Sequence, residues 1–258
     1  MKDVIIKTPQ QIAHIREAGK YLTELLELIR THTRPWVMGI ELEQRAQVFI
    51  DQHGLQGAFK GYNQFPANLC LSINDCLVHG IPDDTMLQEG DLVKVDAGII
   101  YQQGIADAAI SIIVGWPRTN PQADALVQAT KWALDSGLTH VQPGISLYAF
   151  GNHVFTHLHK KWFQVIKHLT GHGVGTAVHE APHIYNWPHP PTRQQYFQQD
   201  MVVALEPITS IKSHDFVEDP ENGRNLYTEK GDLGAQREYT VHITDNGPEI
   251  LAGVTEYK

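Results

Sequence analysis

Two carboxylates lie where an apolar β-hairpin has no ordinary use for them. Residues 91–101 and 105–114 read as two strands joined by the tight Gln102-Gln103-Gly104 link. Asp96 follows Val93-Lys94-Val95 and Asp107 follows Gly104-Ile105-Ala106, each inside otherwise apolar strand sequence. A buried carboxylate is costly unless a cation or hydrogen-bond donors meet it. On antiparallel strands both acids can face one cavity. Read alone, they fit equally a half-exposed hairpin with two solvent-facing acids.

The rest of the chain alternates helical and strand-like patterns. Thr8 stands at an N-cap with Gln11 three residues on, as in a capping box, and Ile12, Ile15, Ala18, Leu22, Leu25, Leu26 and Ile29 follow at helical spacing. A second helix is predicted over 39–53, stopped by Gly54, and two more over 121–136 and 147–162. Strands are predicted at 69–73, 201–208, 225–229, 237–244 and 249–252. Each half thus reads as helices plus antiparallel strands, an α+β class. No linker or repeat divides the chain, so residues 1–258 are expected to form one domain around one site.

Composition excludes several functions. The formal net charge of −9 disfavours nucleic acid as a main ligand, because phosphate binding needs a concentrated basic footprint. The one local basic cluster, His159, Lys160, Lys161, Lys167 and His168, reads as a solvated helix face. No stretch approaches a membrane span or the apolar core of a signal peptide. The only cysteines, Cys70 and Cys76, fit neither a zinc ribbon nor a disulfide framework, which points to a reducing compartment and the cytoplasm. No DNA partner and no membrane partner are expected.

Three further residues join the aspartates. Gly171-His172-Gly173-Val174-Gly175 leaves an imidazole unobstructed, although a glycine-rich turn with an incidental histidine fits the same run. Glu206 ends the apolar run Val202-Val203-Ala204-Leu205, and Glu238 lies in Ala235-Gln236-Arg237-Glu238-Tyr239-Thr240-Val241. Four carboxylates and one imidazole suit Mn²⁺, Fe²⁺ or Co²⁺. Two such ions roughly 3.5–4 Å apart are a recognised device for peptide hydrolysis.

Nearly the whole chain resembles the type I methionine aminopeptidases of the pita-bread metallopeptidase fold. The residues that carry the resemblance are Ile6-Lys7-Thr8-Pro9, Cys70-Leu71-Ser72-Ile73-Asn74, His79-Gly80-Ile81-Pro82, the run 90–96 ending in Asp96, the Gly171–Gly175 run with His179-Glu180, Glu206-Pro207, Gln236-Arg237-Glu238 and Thr244-Asp245-Asn246-Gly247. The resemblance implies a pseudo-two-fold antiparallel sheet with helices outside. It implies two divalent ions (Co²⁺, Mn²⁺ or Fe²⁺), one chelated by Asp96, the other by His172 and Glu206, with Asp107 and Glu238 bridging. Glu206 is then the general base, His179 contacts the scissile carbonyl and His79 lies near the substrate nitrogen. Phe59, Tyr62, Phe65, Cys70 and Val178 are implied as walls of the methionine pocket. The implied activity removes an initiator methionine when the next residue is small, and the implied partners are nascent polypeptide N-termini met at the ribosome.

The chain departs from the family pattern at the pocket. Phe59 stands where a Cys is common, Phe65 where a Tyr is, and Val178 where a Phe is, so Phe59 and Val178 are expected to compensate each other by volume. No Trp lies between Glu206 and Glu238, and Ala108-Ala109 follows the second aspartate where Ser or Thr is usual. The run His179-Glu180-Ala181-Pro182-His183 matches the zincin pattern, but that motif needs a helix and Pro182 breaks one, so His183 is expected not to ligate. The competing readings are an Xaa-Pro aminopeptidase or prolidase, which usually carries a longer N-terminal domain, and a non-catalytic pita-bread binding protein, which would have lost ligands.

Overall fold

The computed structural model describes residues 4–255. Helix α1, Pro9–His32, starts where the capping box puts it: Thr8 Oγ1 accepts from the Gln11 N–H at 3.3 Å, and Gln11 Oε1 accepts from the Thr8 N–H at 2.8 Å. Its apolar stripe is buried along its whole length. Helix α2 spans Gly39–Gln52. Helix α3, Pro121–Gly137, is capped by Asn120, and α4, Leu147–His159, by Ser146. α4 stops at His159, short of Trp162, because the chain turns there. The Phe163 N–H returns to the Leu158 carbonyl at 3.1 Å, and Trp162 sits exposed at φ 65°. The basic cluster is therefore not one helix face: only His159 is helical, and Lys167 and His168 follow the strand Gln164–Val165.

The aspartate hairpin is built from Leu92–Tyr101 and Gly104–Ile113, turned by Gln102 and Gln103. Leu92–Tyr101 also pairs antiparallel with Leu69–Ile73 and Gln56–Gly57. A second antiparallel sheet runs in the spatial order Gly247–Ala252, Tyr239–Thr244, Val202–Leu205, Gly171–Gly173, Glu180–Ile184. α1 packs on the hairpin and on Gly247–Ala252, while α3 and α4 pack together beside the second sheet.

One predicted strand is broken in two, and a second starts late behind an unpredicted one. The run 201–208 divides into Val202–Leu205 and Ile208–Ser210, and the run 237–244 begins only at Tyr239, preceded by Gly234–Gln236. The gaps hold Glu206-Pro207 and Arg237-Glu238. One register spans both gaps, pairing Leu205 with Tyr239 on one side and Ile208 with Gln236 on the other. Proline has no N–H for a continuous ladder, and the interruption places Glu206 opposite Glu238.

The Gly171–Gly173 strand was hidden because glycine has no strand propensity. Here the glycines are required by packing: a Cβ at Gly171 would lie 2.4 Å from the Ala204 carbonyl oxygen, and one at Gly173 would lie 2.3 Å from that of Ala181. Glu180–Ile184 accommodates Pro182 as an edge strand.

Side chains stitch the two sheets together. The Asp107 N–H donates to Thr240 Oγ1 at 2.8 Å, and the Thr240 hydroxyl donates to the Asp107 carbonyl at 2.6 Å. The Glu238 N–H donates to the Ala109 carbonyl at 3.0 Å. The Ser111 hydroxyl donates to the Gln236 carbonyl at 2.8 Å and accepts from the Gln236 N–H at 3.0 Å. The larger core accordingly includes Val174, Val202, Ala204 and Leu251 of the second sheet.

The hairpin end docks directly on α1. A Cβ at Gly104 would lie 2.4 Å from the Ile15 nitrogen and 2.5 Å from the His14 carbonyl carbon, both backbone atoms. Gly104→Ala is therefore expected to destabilise by about 2–3 kcal/mol, read as a lower urea midpoint. An unchanged midpoint would show that the hairpin end is free to move off the helix.

Candidate metal centre

The hairpin register settles where the aspartates point. Asp96 pairs with Ala109, and Asp107 with Gly98, so the two acids share one face on a diagonal. His172 is registered with Ala204, two residues before Glu206. Its Nε2 lies 3.3 Å from Glu206 Oε1 and 4.0 Å from Asp107 Oδ2. The ring is held by its other nitrogen, since Nδ1 sits 2.9 Å from the Gly173 carbonyl. With the Nδ1 proton on that carbonyl, Nε2 presents its lone pair to the cluster.

Asp96, Asp107, His172, Glu206 and Glu238 all line one cavity of about 460 Å³, and all five are buried. Ligand atoms of Asp107, His172 and Glu238 lie within 4.8 Å of one another. Gln236, named in the sequence only as part of a motif, bridges the set: its Nε2 donates to Asp96 Oδ2 at 3.3 Å and to Glu206 Oε2 at 3.5 Å.

The cluster is electrostatically unsatisfied as protein alone. Asp96 Oδ1, Asp107 Oδ1 and Glu238 Oε1 are buried without a hydrogen-bond partner. Burial, followed by the charge of Glu206, pushes the Asp96 carboxyl up to about 7. Burial and the neighbouring carboxylates hold Asp107 and Glu238 well above the ordinary range. Burial works against charge on His172, but Glu206 outweighs it and raises the imidazole. Orphaned carboxylate oxygens converging with an imidazole lone pair are the donor set that divalent cations require. The residues fit such ions.

The other expected residues divide. His79 and His179 line the cavity. His79 adopts φ 60°, a region that non-glycine residues rarely enter, and burial lowers its pKa. His179 Nδ1 lies 3.0 Å from the Tyr62 hydroxyl, and its ring centroid is 4.4 Å from that of His172. Burial and then the His172 charge push His179 down to about 4. Phe59, Tyr62, Phe65 and Cys70 line the same cavity. Val178 does not: it is buried in the core among other apolar residues. The expected exchange of bulk between Phe59 and Val178 across one slot therefore does not describe this wall.

The zincin pattern falls on a strand. Its glutamate is used elsewhere: Glu180 Oε1 accepts from the Thr176 N–H and hydroxyl, each at 2.6 Å, and from the Ala177 N–H at 2.9 Å. Glu180 Oε2 pairs with the buried Lys7 ammonium at 2.5 Å. This clamp fixes the loop leading to His179. His183 lies at the exposed rim of the cavity. Leu169, Ile208, Phe216 and Leu226 on the cavity wall, and Arg224 at its rim, belong to no motif that would single them out.

Comparisons with known proteins agree with this geometry. The family model Metallopeptidase family M24 matches residues 13–245. The chain is 34% identical over 248 residues to a methionine aminopeptidase of Mycoplasma capricolum, covering 96% of this chain and 98% of the relative. It is similar in structure to a methionine aminopeptidase of Thermotoga maritima, with a TM-score of 0.93, 32% identity, and coverage of 98% of this chain and 100% of that one. A prolidase of Pyrococcus furiosus gives a TM-score of 0.76 at 22% identity, covering 98% of this chain and 66% of its own, a likeness of fold.

The Glu180 clamp has a defined pH signature. Burial favours the neutral acid, but Lys7, Thr176 and Ala177 together hold Glu180 below its ordinary value of 4.5. A depressed carboxyl contributes stability above the unfolded pKa and loses it as pH falls through the folded one. Glu180→Gln, which leaves Lys7 buried without its partner, is expected to cost about 3 kcal/mol at neutral pH. The gap from the unsubstituted protein should narrow as pH falls below 4.5, measured by urea unfolding. A gap that stays constant across that range would remove the charge from the explanation.

Proposed function

The chain belongs to metallopeptidase family M24, and within it to the methionine aminopeptidases; from that premise we propose how its residues divide the work. It is a metal-dependent hydrolase that removes the initiator methionine from protein N-termini. The observation that carries the assignment of residues is the convergence of four carboxylates and one imidazole, from two stitched sheets, on one buried cavity.

Asp96 would hold one divalent ion, His172 and Glu206 a second, and Asp107 and Glu238 would be shared between them. Co²⁺, Mn²⁺ and Fe²⁺ all suit this donor set. When bound, the ions supply Lewis-acid polarisation and make a water readily deprotonated. Glu206, at the break in its strand, takes the proton of the attacking water and returns it to the leaving nitrogen.

His179 acts as a neutral donor. With its pKa near 4 it carries no charge at pH 7, and with Tyr62 O–H donating to Nδ1, Nε2 keeps a proton for the developing oxyanion. His79 orients the scissile nitrogen. Phe59, Tyr62, Phe65 and Cys70 receive the methionine side chain, and Val178 supports that wall from the core. Residues 1–258 act as one catalytic domain. The substrates are nascent chains with a small second residue, met at the ribosome in the cytoplasm. Among the described residues no helix is long and apolar enough to cross a membrane, which is compatible with that setting.

The test is hydrolysis of Met-Ala-Ser against Ala-Pro peptides across Mn²⁺, Fe²⁺ and Co²⁺. Methionine release with little proline-peptide cleavage is expected, and Asp107→Ala should abolish it. His179→Ala should retain metal but lower kcat by roughly 10²–10³. Preferred cleavage before proline would overturn the substrate reading. An unchanged kcat in His179→Ala would return that histidine to a structural role.

A further inference from the structure

The cavity has a charged rim that the chemistry above does not use. Its lining runs from the buried acids to exposed Glu218, Gly223, His168 and His183 and half-buried Arg224. The substrate loses its first residue at the buried end, so everything beyond the scissile bond extends past this rim.

Arg224 differs from the two histidines there. His168 Nε2 lies 3.5 Å from Asp215 Oδ2, and His183 Nδ1 lies 3.3 Å from Thr170 Oγ1. Among the described residues, no ion pair engages the Arg224 guanidinium. Its charge nevertheless reaches the site. After burial, and against the opposing pull of Glu206, Arg224 is a further influence that lowers the His79 imidazole.

The turn that carries Arg224 is held in place. It connects Phe216–Glu218 with Leu226–Thr228. Asp219 accepts from the Glu221 N–H and from Asn222 Nδ2, each at 2.8 Å. Asn222 Oδ1 accepts from the Arg224 N–H at 2.9 Å and from the Asn225 N–H at 3.0 Å. Asn225 Oδ1 then accepts from the Ile81 N–H at 3.3 Å, which ties the turn to the segment that follows His79. The guanidinium therefore stands on a braced backbone beside the segment expected to hold the scissile nitrogen.

We propose that Arg224 is a specificity-determining residue that binds a carboxylate on the leaving-peptide side of the scissile bond. This assignment rests on the aminopeptidase reading for the direction in which the substrate lies. A half-buried, unpaired guanidinium presents several donors in a planar fork that suits a carboxylate. Exposed Glu218 carries the opposite charge on the same rim, but solvent screens an exposed group more strongly than a half-buried one. The carboxylate comes either from an acidic third residue or from the C-terminus of a short peptide.

The experiment compares C-amidated Met-Ala-Ser, Met-Ala-Asp and Met-Ala-Lys with Met-Ala-Ser bearing a free C-terminus. Two readouts are taken: equilibrium binding to chelator-treated protein, and kcat/KM with Mn²⁺. The Asp peptide is expected to exceed the Lys peptide about threefold to tenfold in both, mainly through KM, with the ratio falling as salt rises. The free-acid arm shows whether a terminal carboxylate serves as well. Arg224→Gln should bring the ratio near one, Arg224→Glu should invert it, and Arg224→Lys should keep part of it. Equal values for all four peptides in the unsubstituted protein, or a carboxylate preference that survives Arg224→Gln, would overturn the proposal. Charge-dependent binding without methionine release would instead leave Arg224 in place and sink the aminopeptidase reading.

Discussion

Mutual repulsion among buried carboxylates is the constraint that organises this molecule. Asp96, Asp107, Glu206 and Glu238 are withdrawn from water into one cavity, and three of them keep an oxygen with no hydrogen-bond partner. Left as protein alone, such a group must hold protons at pH values where carboxylates are normally ionised, and Asp96 does so up to about 7. Divalent cations reverse that balance by supplying more positive charge than the single His172 imidazole can. The folded state thus carries an electrostatic cost that only metal binding removes, which couples stability to function.

Holding those acids together is the work of the seam between the two sheets. Thr240 exchanges two hydrogen bonds with the Asp107 backbone, and Ser111 exchanges two with that of Gln236. Neither side chain is itself a ligand. Each fixes the strand that carries one, and Gln236 then reaches across to Asp96 and Glu206. The interrupted ladder matters equally: a continuous strand would pass through Glu206 and Glu238 without a break, whereas the gap frees both side chains opposite each other. The Lys7–Glu180 clamp does the same for the loop that precedes His179.

Much of this was legible in the sequence where local chemistry decides the outcome. The Thr8–Gln11 capping box and the apolar stripe after it fixed α1 without tertiary information, and the two apolar runs around Asp96 and Asp107, joined by the short Gln102-Gln103-Gly104 link, fixed the hairpin. The breaks at Glu206-Pro207 and Arg237-Glu238 were not legible, because apolar sequence continues on both sides and only the sheet-to-sheet crossing interrupts pairing. The Gly171–Gly173 strand escaped notice because close backbone packing, not propensity, selects its residues. Val178 was placed on the cavity wall by resemblance alone, and it is buried in the apolar core instead. Gln236 and Thr240 owe their roles to partners far away in the chain, which no local pattern encodes.

To load metal, the acid cluster must shed its protons. Calorimetric titration of chelator-treated protein with Mn²⁺, in buffers of different ionisation enthalpy, measures it most directly. The account predicts two ions bound per chain, with protons released on binding. More protons should be released at about pH 6 than at about pH 8, because the Asp96 carboxyl titrates near 7, and burial and mutual repulsion raise Asp107 and Glu238 as well. Binding without proton release, or no saturable binding at either pH, would contradict it.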